Sequence, residues 1–408
     1  MIDALSSDRL IGYVPILLPL LIALSGWLTL RLTLLAAVWP RRAIGLPPFL
    51  GWQGYLFSHT EHYITHWSRG LLEKLGTLDQ IFEHVGPEKI ISHQLSRLRP
   101  QVDSFIDDVM LTRNQVLWEN LPILVKNRFY ARAHRMLPRI IDDIVEDLGD
   151  SMNRIITYPQ LLHFAEQDTP GTLERFYQLL TRQVFDRLVY FCALAGFAGG
   201  LLQCGVAWLL ADSHFPLFWI LTGAGIGLFF FWLAQHRIGT PAVPTVFGPF
   251  TLRNPISRLR LRQDRELAEF LSHNILSPRN IARTLVLGGK ARHAHIIIKK
   301  RIAPLVEEFD VRTFAQLTVG PIGYVNLKQS LAEKLAESFL DPFEDERFNQ
   351  ERAKALAEFL HDRIEKLPDQ LFYQQMKWTL EPLAFLGTCV GTLLGAAAGG
   401  LQWMLLYF

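Results

Sequence analysis

Gly387-Thr-Cys-Val-Gly391-Thr-Leu-Leu-Gly395-Ala-Ala-Ala-Gly399-Gly400-Leu-Gln402 lies inside an uncharged run from Pro382 to Phe408. That run is long enough to cross a bilayer as a helix. Gly391, Gly395 and Gly399 recur every fourth residue, so the helix carries a side-chain-free stripe that a second helix can approach closely. The same phrase occurs earlier as Ala195-Gly196-Phe-Ala-Gly199-Gly200-Leu-Leu-Gln203. Two copies of one membrane phrase predict a chain built twice and anchored in membrane. They point to an architecture and to no particular reaction.

Working outward, four membrane segments are expected, over about 11–30, 188–211, 217–234 and 382–406. Gly12, Pro15 and Pro19 interrupt the first, which predicts a kinked or partly re-entrant helix. Arg31 closes it, and 32–39 reads as a separate interfacial stretch with Trp39 at headgroup depth. The third carries Gly223-Ala-Gly225-Ile-Gly227, another contact stripe. Gly196, Gly200, Gly223, Gly227, Gly391, Gly395 and Gly399 are therefore the helix-packing candidates.

Each half repeats one order: membrane helix, Pro/Gly/aromatic loop, long amphipathic helical region, membrane helix. The loop is Gly45 to Tyr55 in the first half and Gly239 to Phe250 in the second. Phe176-Tyr177-Gln178 precedes the second span much as Phe372-Tyr373-Gln374 precedes the fourth. The fold class expected is all-α: four transmembrane helices plus two tandem helical domains, by parallel internal duplication. Repeat 1 covers 1–211, with its helical region over about 40–186. Repeat 2 covers 216–408, with its region over about 240–377.

Composition agrees with a few spans plus large water-exposed parts. Of 408 residues, 50% are hydrophobic and 20% charged, and the mean hydropathy is +0.16. A net charge of +2 argues against a nucleic-acid partner. Cys192, Cys204 and Cys389 all fall in apolar runs, which argues against a disulfide framework. The N-terminus lacks the basic start of a cleavable signal peptide. Arg31, Arg41, Arg42, Arg182, Arg187, Arg237 and Lys377 flank the spans on the side of the helical regions. The positive-inside bias places both regions in the cytoplasm.

The run Gly26-Trp27-Leu28-Thr29-Leu30-Arg31-Leu32-Thr33-Leu34-Leu35-Ala36-Ala37-Val38-Trp39-Pro40 resembles the opening signature of the YheB-like family of uncharacterised bacterial membrane proteins (domain of unknown function 445). Members open on a helix ending Gly-Trp-Leu-Thr-Asn, continue through a Gln-Gly step, here Gln53-Gly54, and close on a Gly-rich helix. Leu30 stands where the family has Asn. Ser58-His59-Thr60-Glu61-His62 stands where it has a basic cluster. The resemblance implies fold and membrane location, and no activity.

Three sets of side chains are candidates for chemistry. His59, His62 and His66 share a helical face beside Glu61, and imidazole ligates zinc or copper. The plainer reading is a polar interfacial face. Arg253, Arg258, Arg260, Arg262 and Arg265 follow a span and suit anionic headgroups; positive-inside topology alone also accounts for them. Gln203 and Gln402 occupy matching places in the Gly-rich helices, and an amide in hydrocarbon needs a partner, so the two are expected to bond each other. The acidic pairs Asp107-Asp108 and Asp142-Asp143 read as solvated. No phosphate loop, zincin motif or nucleophile elbow appears. The expectation is a non-enzymatic inner-membrane scaffold or interaction module without cofactors. Its partners are membrane lipids and other membrane proteins, with a homo-oligomer left open. The alternative is a lipid or apolar-solute carrier; a histidine metal site ranks below both.

Overall fold

No glycine or proline lies between Trp27 and Trp39, so nothing in the chain stops a helix at Arg31. In the computed structural model α1 runs unbroken from Ile2 to Val38, through Pro15 and Pro19, and the chain turns at Pro40. The expected break between a span and a separate interfacial stretch is absent. Prolines are tolerated in a membrane helix where a neighbour closes over the carbonyls they free. Here Gly200 sits against Pro19; a Cβ on it would lie 2.7 Å from Pro19 Cα.

The structure describes residues 2–46, 50–209, 216–239, 245–247, 250–252, 264–307 and 341–407. After α1 come β1 (Ile44–Leu46), β2 (Leu50–Trp52), α2 (Thr60–Trp67), α3 (Leu78–Val85), α4 (Pro87–Leu98), α5 (Val102–Asn120), α6 (Ile123–Asp150), α7 (Tyr158–Asp168) and α8 (Thr172–Leu209). The second half contributes α9 (Pro216–Gly239), β3 (Thr245–Phe247), β4 (Phe250–Leu252), α10 (Pro278–Leu287), α11 (Ala291–Glu307), α12 (Glu346–Lys366), α13 (Asp369–Leu380) and α14 (Ala384–Tyr407).

Both Pro/Gly-rich loops close as antiparallel hairpins, pairing Ile44 with Trp52 and Thr245 with Leu252. The Gln-Gly step ties the first one to its helix. Gln53 Nε2 donates to the Arg41 carbonyl at 3.0 Å, and the Gly54 N–H donates to that of Pro40 at 2.9 Å. A Cβ on Gly54 would sit 2.9 Å from the Val38 carbonyl carbon, which is why glycine stands there. Further along each half come a π-turn, Ser68–Leu72 or Leu271–Ile275, and then a hydroxyl N-cap, Thr77 or Ser277.

Among the described residues, three helical stretches are long and apolar enough to cross a membrane: Leu17–Val38, Val189–Val206 and Gln370–Leu406. The segment expected over 217–234 falls on α9, whose described apolar stretch, Pro216–Phe229, is shorter.

The chain divides into two compact units, and neither is one half of the sequence. The first gathers Met1–Leu71, Glu174–Gln263 and Leu367–Phe408. The second gathers Leu72–Leu173 and Asp264–Lys366. The contacts therefore join the helical regions of both halves in one body instead of two tandem ones. The cause is reciprocal burial: each region has apolar stripes that the other covers. In the second unit α6 packs on α11, α7 on α10 and α3 on α12. Leu161, Leu162, Ile281, Leu285 and Ile298 are buried there. Asn280 Nδ2 donates to the Leu161 carbonyl at 2.9 Å. Arg301 holds Asp147 through two bonds, at 2.6 and 2.7 Å, and reaches Asp143 at 3.2 Å.

Asp107 is not simply solvated. It is half-buried and accepts from Trp118 Nε1 at 2.9 Å and from the Tyr130 hydroxyl. A buried indole needs an acceptor for its N–H; Asp107 supplies it from the same helix, and the Tyr130 hydroxyl reaches that carboxylate from α6.

In the first unit the glycine stripes meet backbone. Along α1 and α8, a Cβ on Gly26 would lie 2.8 Å from the Cys192 carbonyl oxygen, and one on Gly196 2.8 Å from that of Ile22. Along α9 and α14 the approach is tighter. Gly223 and Gly395 face each other's carbonyls, Gly227 faces that of Gly391, and Gly399 that of Trp219. No Cβ fits at Gly223, Gly227, Gly395 or Gly399 without moving a helix.

Candidate functional site

The buried face of α2 is set by its own spacing. Tyr63 and Trp67 lie four apart with Ile64 between, and all three are buried. Around them the first unit brings two distant segments. From the start of α8 come Phe176 and Tyr177; from α13 come Gln375, Trp378 and Thr379, on one face by their spacing of three and four. Trp67 meets Phe176 edge-on with ring centres 5.0 Å apart. Its Nε1–H donates to Thr379 Oγ1 at 3.2 Å, and the Tyr63 hydroxyl donates to the Thr379 carbonyl at 3.2 Å. Thr379 in turn donates to the Gln375 carbonyl at 2.7 Å. Gly70, in the π-turn, leaves the space that the Gln375 side chain occupies. Thr379 and Trp67 are fully buried.

The histidines do not form a ligand set. His59 precedes α2, stacks on Tyr55 at 4.3 Å and shares its Nδ1 with Ser58 at 2.8 Å. His62 is exposed and tilts towards Trp378. His66 lies flat on the Trp378 ring, 3.4 Å between centres. Among the described residues no group of three His, Cys, Asp or Glu side chains is placed to hold a metal. The seven-residue spread from His59 to His66 aligns them only on an unbroken helix, and the helix begins after His59.

Electrostatics make this a neutral cluster. Burial holds the His66 imidazole below its usual range and neighbouring His62 adds to that, while the Gln375 amide beside it acts in the opposite direction. Burial raises the Tyr63 phenol, helped by Tyr55, and the Tyr177 phenol, helped by Tyr63. His66 Nε2, Ser68 Oγ, Tyr177 OH and Gln375 Oε1 are buried without a hydrogen bond inside the protein. Such atoms suit a small neutral hydrogen-bonding group, water above all, rather than proton abstraction at neutral pH.

Gln203 and Gln402 do not bond each other. Gln203 Nε2 donates to Thr222 Oγ1 at 2.7 Å and to the Trp219 carbonyl at 3.3 Å, both on α9. Gln402 Nε2 donates to the Leu18 carbonyl of α1 at 2.6 Å. The acceptors are the Trp219 carbonyl in the first turn of α9, the Thr222 hydroxyl beside it, and the Leu18 carbonyl midway along α1, one residue before Pro19. Each amide thus links helices of different halves, while each glycine pair links helices of the same half. Arg253, Arg258, Arg260 and Arg262 lie outside the described residues. Arg265 is exposed and pairs with Glu269 at 3.2 Å.

Reasoning from sequence missed Trp378, Thr379 and Gln375. Their signal was the same-face spacing in α13, which looked like ordinary amphipathicity. Phe176 and Tyr177 were visible as one copy of a repeated Phe-Tyr-Gln phrase, without any hint that they bury against Trp67. Comparison of the chain with protein-family models, with curated proteins and with solved structures found no match.

Proposed function

We propose that this chain is a non-enzymatic integral membrane scaffold: a duplicated helical anchor that carries one interleaved helical body as an interaction module. The observation that carries the reading is the paired glycine contact. Gly26 and Gly196 on one helix pair, and Gly227 and Gly395 on the other, make the same backbone approach at positions roughly 200 apart. Gln203 and Gln402 add equivalent bonds, to Trp219 and Leu18. In this reading α9 is a fourth span, because its glycines run against α14 along the stripe. The body faces the cytoplasm of a bacterial inner membrane, as the positive charges beside the spans favour. The resemblance to the YheB-like family belongs to the same proposal.

Two experiments test it. Reporter fusions should place the 212–215 link on one side of the membrane, and both 100–150 and 280–300 on the other; fusions at 130 and 290 on opposite sides sink the duplication. Purified protein in vesicles should exchange fluorescent lipid no faster than empty vesicles. Clear acceleration would replace the scaffold with the carrier.

A further inference from the structure

Ile123 and Leu124, at the turn between α5 and α6, are 72% and 74% exposed. They are the most exposed large apolar side chains among the described residues of the second unit. The turn is held firmly: Trp118 beneath it is 2% exposed, bonded to Asp107, and Lys126 Nζ lies 5.3 Å over its ring. Two aliphatic side chains on a fixed tip are in contact with water, and burying them elsewhere is favourable.

The rest of α6 indicates what covers them. From Ile123 to Arg139 the helix holds Lys126, Arg128, Arg132, Arg135 and Arg139, with no Asp or Glu. Carboxylates begin at Asp142, and there Arg301 pairs with both Asp143 and Asp147. Leu124, Arg128, Arg135 and Arg139 recur at spacings of four and seven, so they share one face, and all are exposed. Ala133, Leu137, Ile140, Ile141 and Ile144 form the buried face. Among the described residues Arg128, Arg135 and Arg139 have no ion-pair partner. Two carboxylates of the acidic half of α6, Asp143 and Asp147, are held inside the protein, while Asp142, Glu146 and Asp150 are exposed; the basic half is turned outward beneath an apolar tip.

We propose that the α5–α6 turn and the basic face of α6 dock on an anionic phospholipid bilayer surface. The aliphatic pair would enter the acyl boundary and the arginines would lie at phosphate depth, as interfacial helices do. A nucleic-acid site would favour aromatic stacking side chains instead of an aliphatic tip. The proposal rests on α6 alone and stands whether or not the anchor is duplicated.

The test uses the whole protein, with Cys192, Cys204 and Cys389 changed to Ala and an environment-sensitive fluorophore on Ile123→Cys, in nanodiscs. Discs of pure phosphatidylcholine are compared with discs mixed with phosphatidylglycerol, and each is then offered vesicles of either composition. A blue shift, and quenching by a lipid-borne nitroxide, should appear only with phosphatidylglycerol, and high salt should remove them. Arg128→Gln/Arg135→Gln/Arg139→Gln should weaken the response roughly a hundredfold. If that variant loses its helical signal, hydrogen exchange over 121–128 in the unaltered protein decides, with phosphatidylglycerol slowing it. Equal spectra in all lipids overturn the proposal. So does a shift that depends only on protein concentration, which would mean self-association, or one given only by an acidic polypeptide.

Discussion

The first unit holds helices together in two opposite ways. Along α9 and α14 the contact is made by the absence of side chains, with Gly223 and Gly395 each against the other's carbonyl. Around Trp67 it is made by the largest side chains available, Trp67, Tyr63, Phe176 and Tyr177, knitted by the Thr379 hydroxyl and carbonyl. The seam should be intolerant of added volume and indifferent to pH. The cluster should be intolerant of lost volume and, through His66, responsive to protons. In a bilayer, apolar area gives no drive for helices to associate, so close backbone approach does that work. Where the alternative is exposure to water, aromatic burial is effective again.

The sharpest way to break the contrast is to swap the insults. Trp67→Ala should cost the most, about 3–5 kcal/mol in thermal or denaturant unfolding, because it opens a cavity and strands Thr379 Oγ1. A loss under about 1 kcal/mol would mean the cluster collapses around the gap. Gly395→Leu comes next, at about 1–3 kcal/mol or more of overpacking, read as loss of the folded form in mild detergent. Gly196→Leu should cost less, since α8 meets α1 at a longer distance; the reverse order would show that the two seams differ in some other way. Tyr177→Phe removes a buried hydroxyl with no bond inside the protein, so it should be neutral or stabilising by about 1 kcal/mol. A marked loss of stability would show that a bound molecule satisfies that hydroxyl.

The smallest effect is the proton dependence. Burial lowers the His66 pKa in the folded protein, so as pH falls the unfolded chain takes up its proton first. The stability tied to neutral His66 is fully present above the ordinary histidine value of about 6.5 and is lost as pH drops through the folded value. The melting midpoint should therefore fall between neutral and mildly acid pH, and less so in His66→Phe. Gly395→Ala should leave that difference unchanged. Matching slopes in the parent and in His66→Phe would remove the histidine from the account.

What could be read without coordinates was local. Hydropathy placed four spans, of which three fall on helical stretches long and apolar enough to cross a membrane, and spacing put Gly391, Gly395 and Gly399 on one stripe. The amphipathic periods marked α3, α5 and α6. These follow from helix geometry acting on neighbours in the chain, so a linear reading finds them. The loops over Gly45 to Tyr55 and Gly239 to Phe250 were recognised as ordered and as counterparts, but their hairpin pairing was not, because each ladder is only three residues a side.

Choosing partners was beyond the linear reading. Gln203 and Gln402 needed acceptors by their chemistry, yet only the packed helices decided that Trp219, Thr222 and Leu18 would supply them. The helical regions had to bury apolar stripes, but either self-burial or mutual burial satisfied the pattern, and the fold took the mutual one. The histidines looked convergent on an ideal helix until its true start separated His59 from the rest. By itself the amino-acid order determined which surfaces must be covered; the tertiary structure decided what covers them, because burial energy counts area removed from water and is blind to where in the chain the covering residue lies.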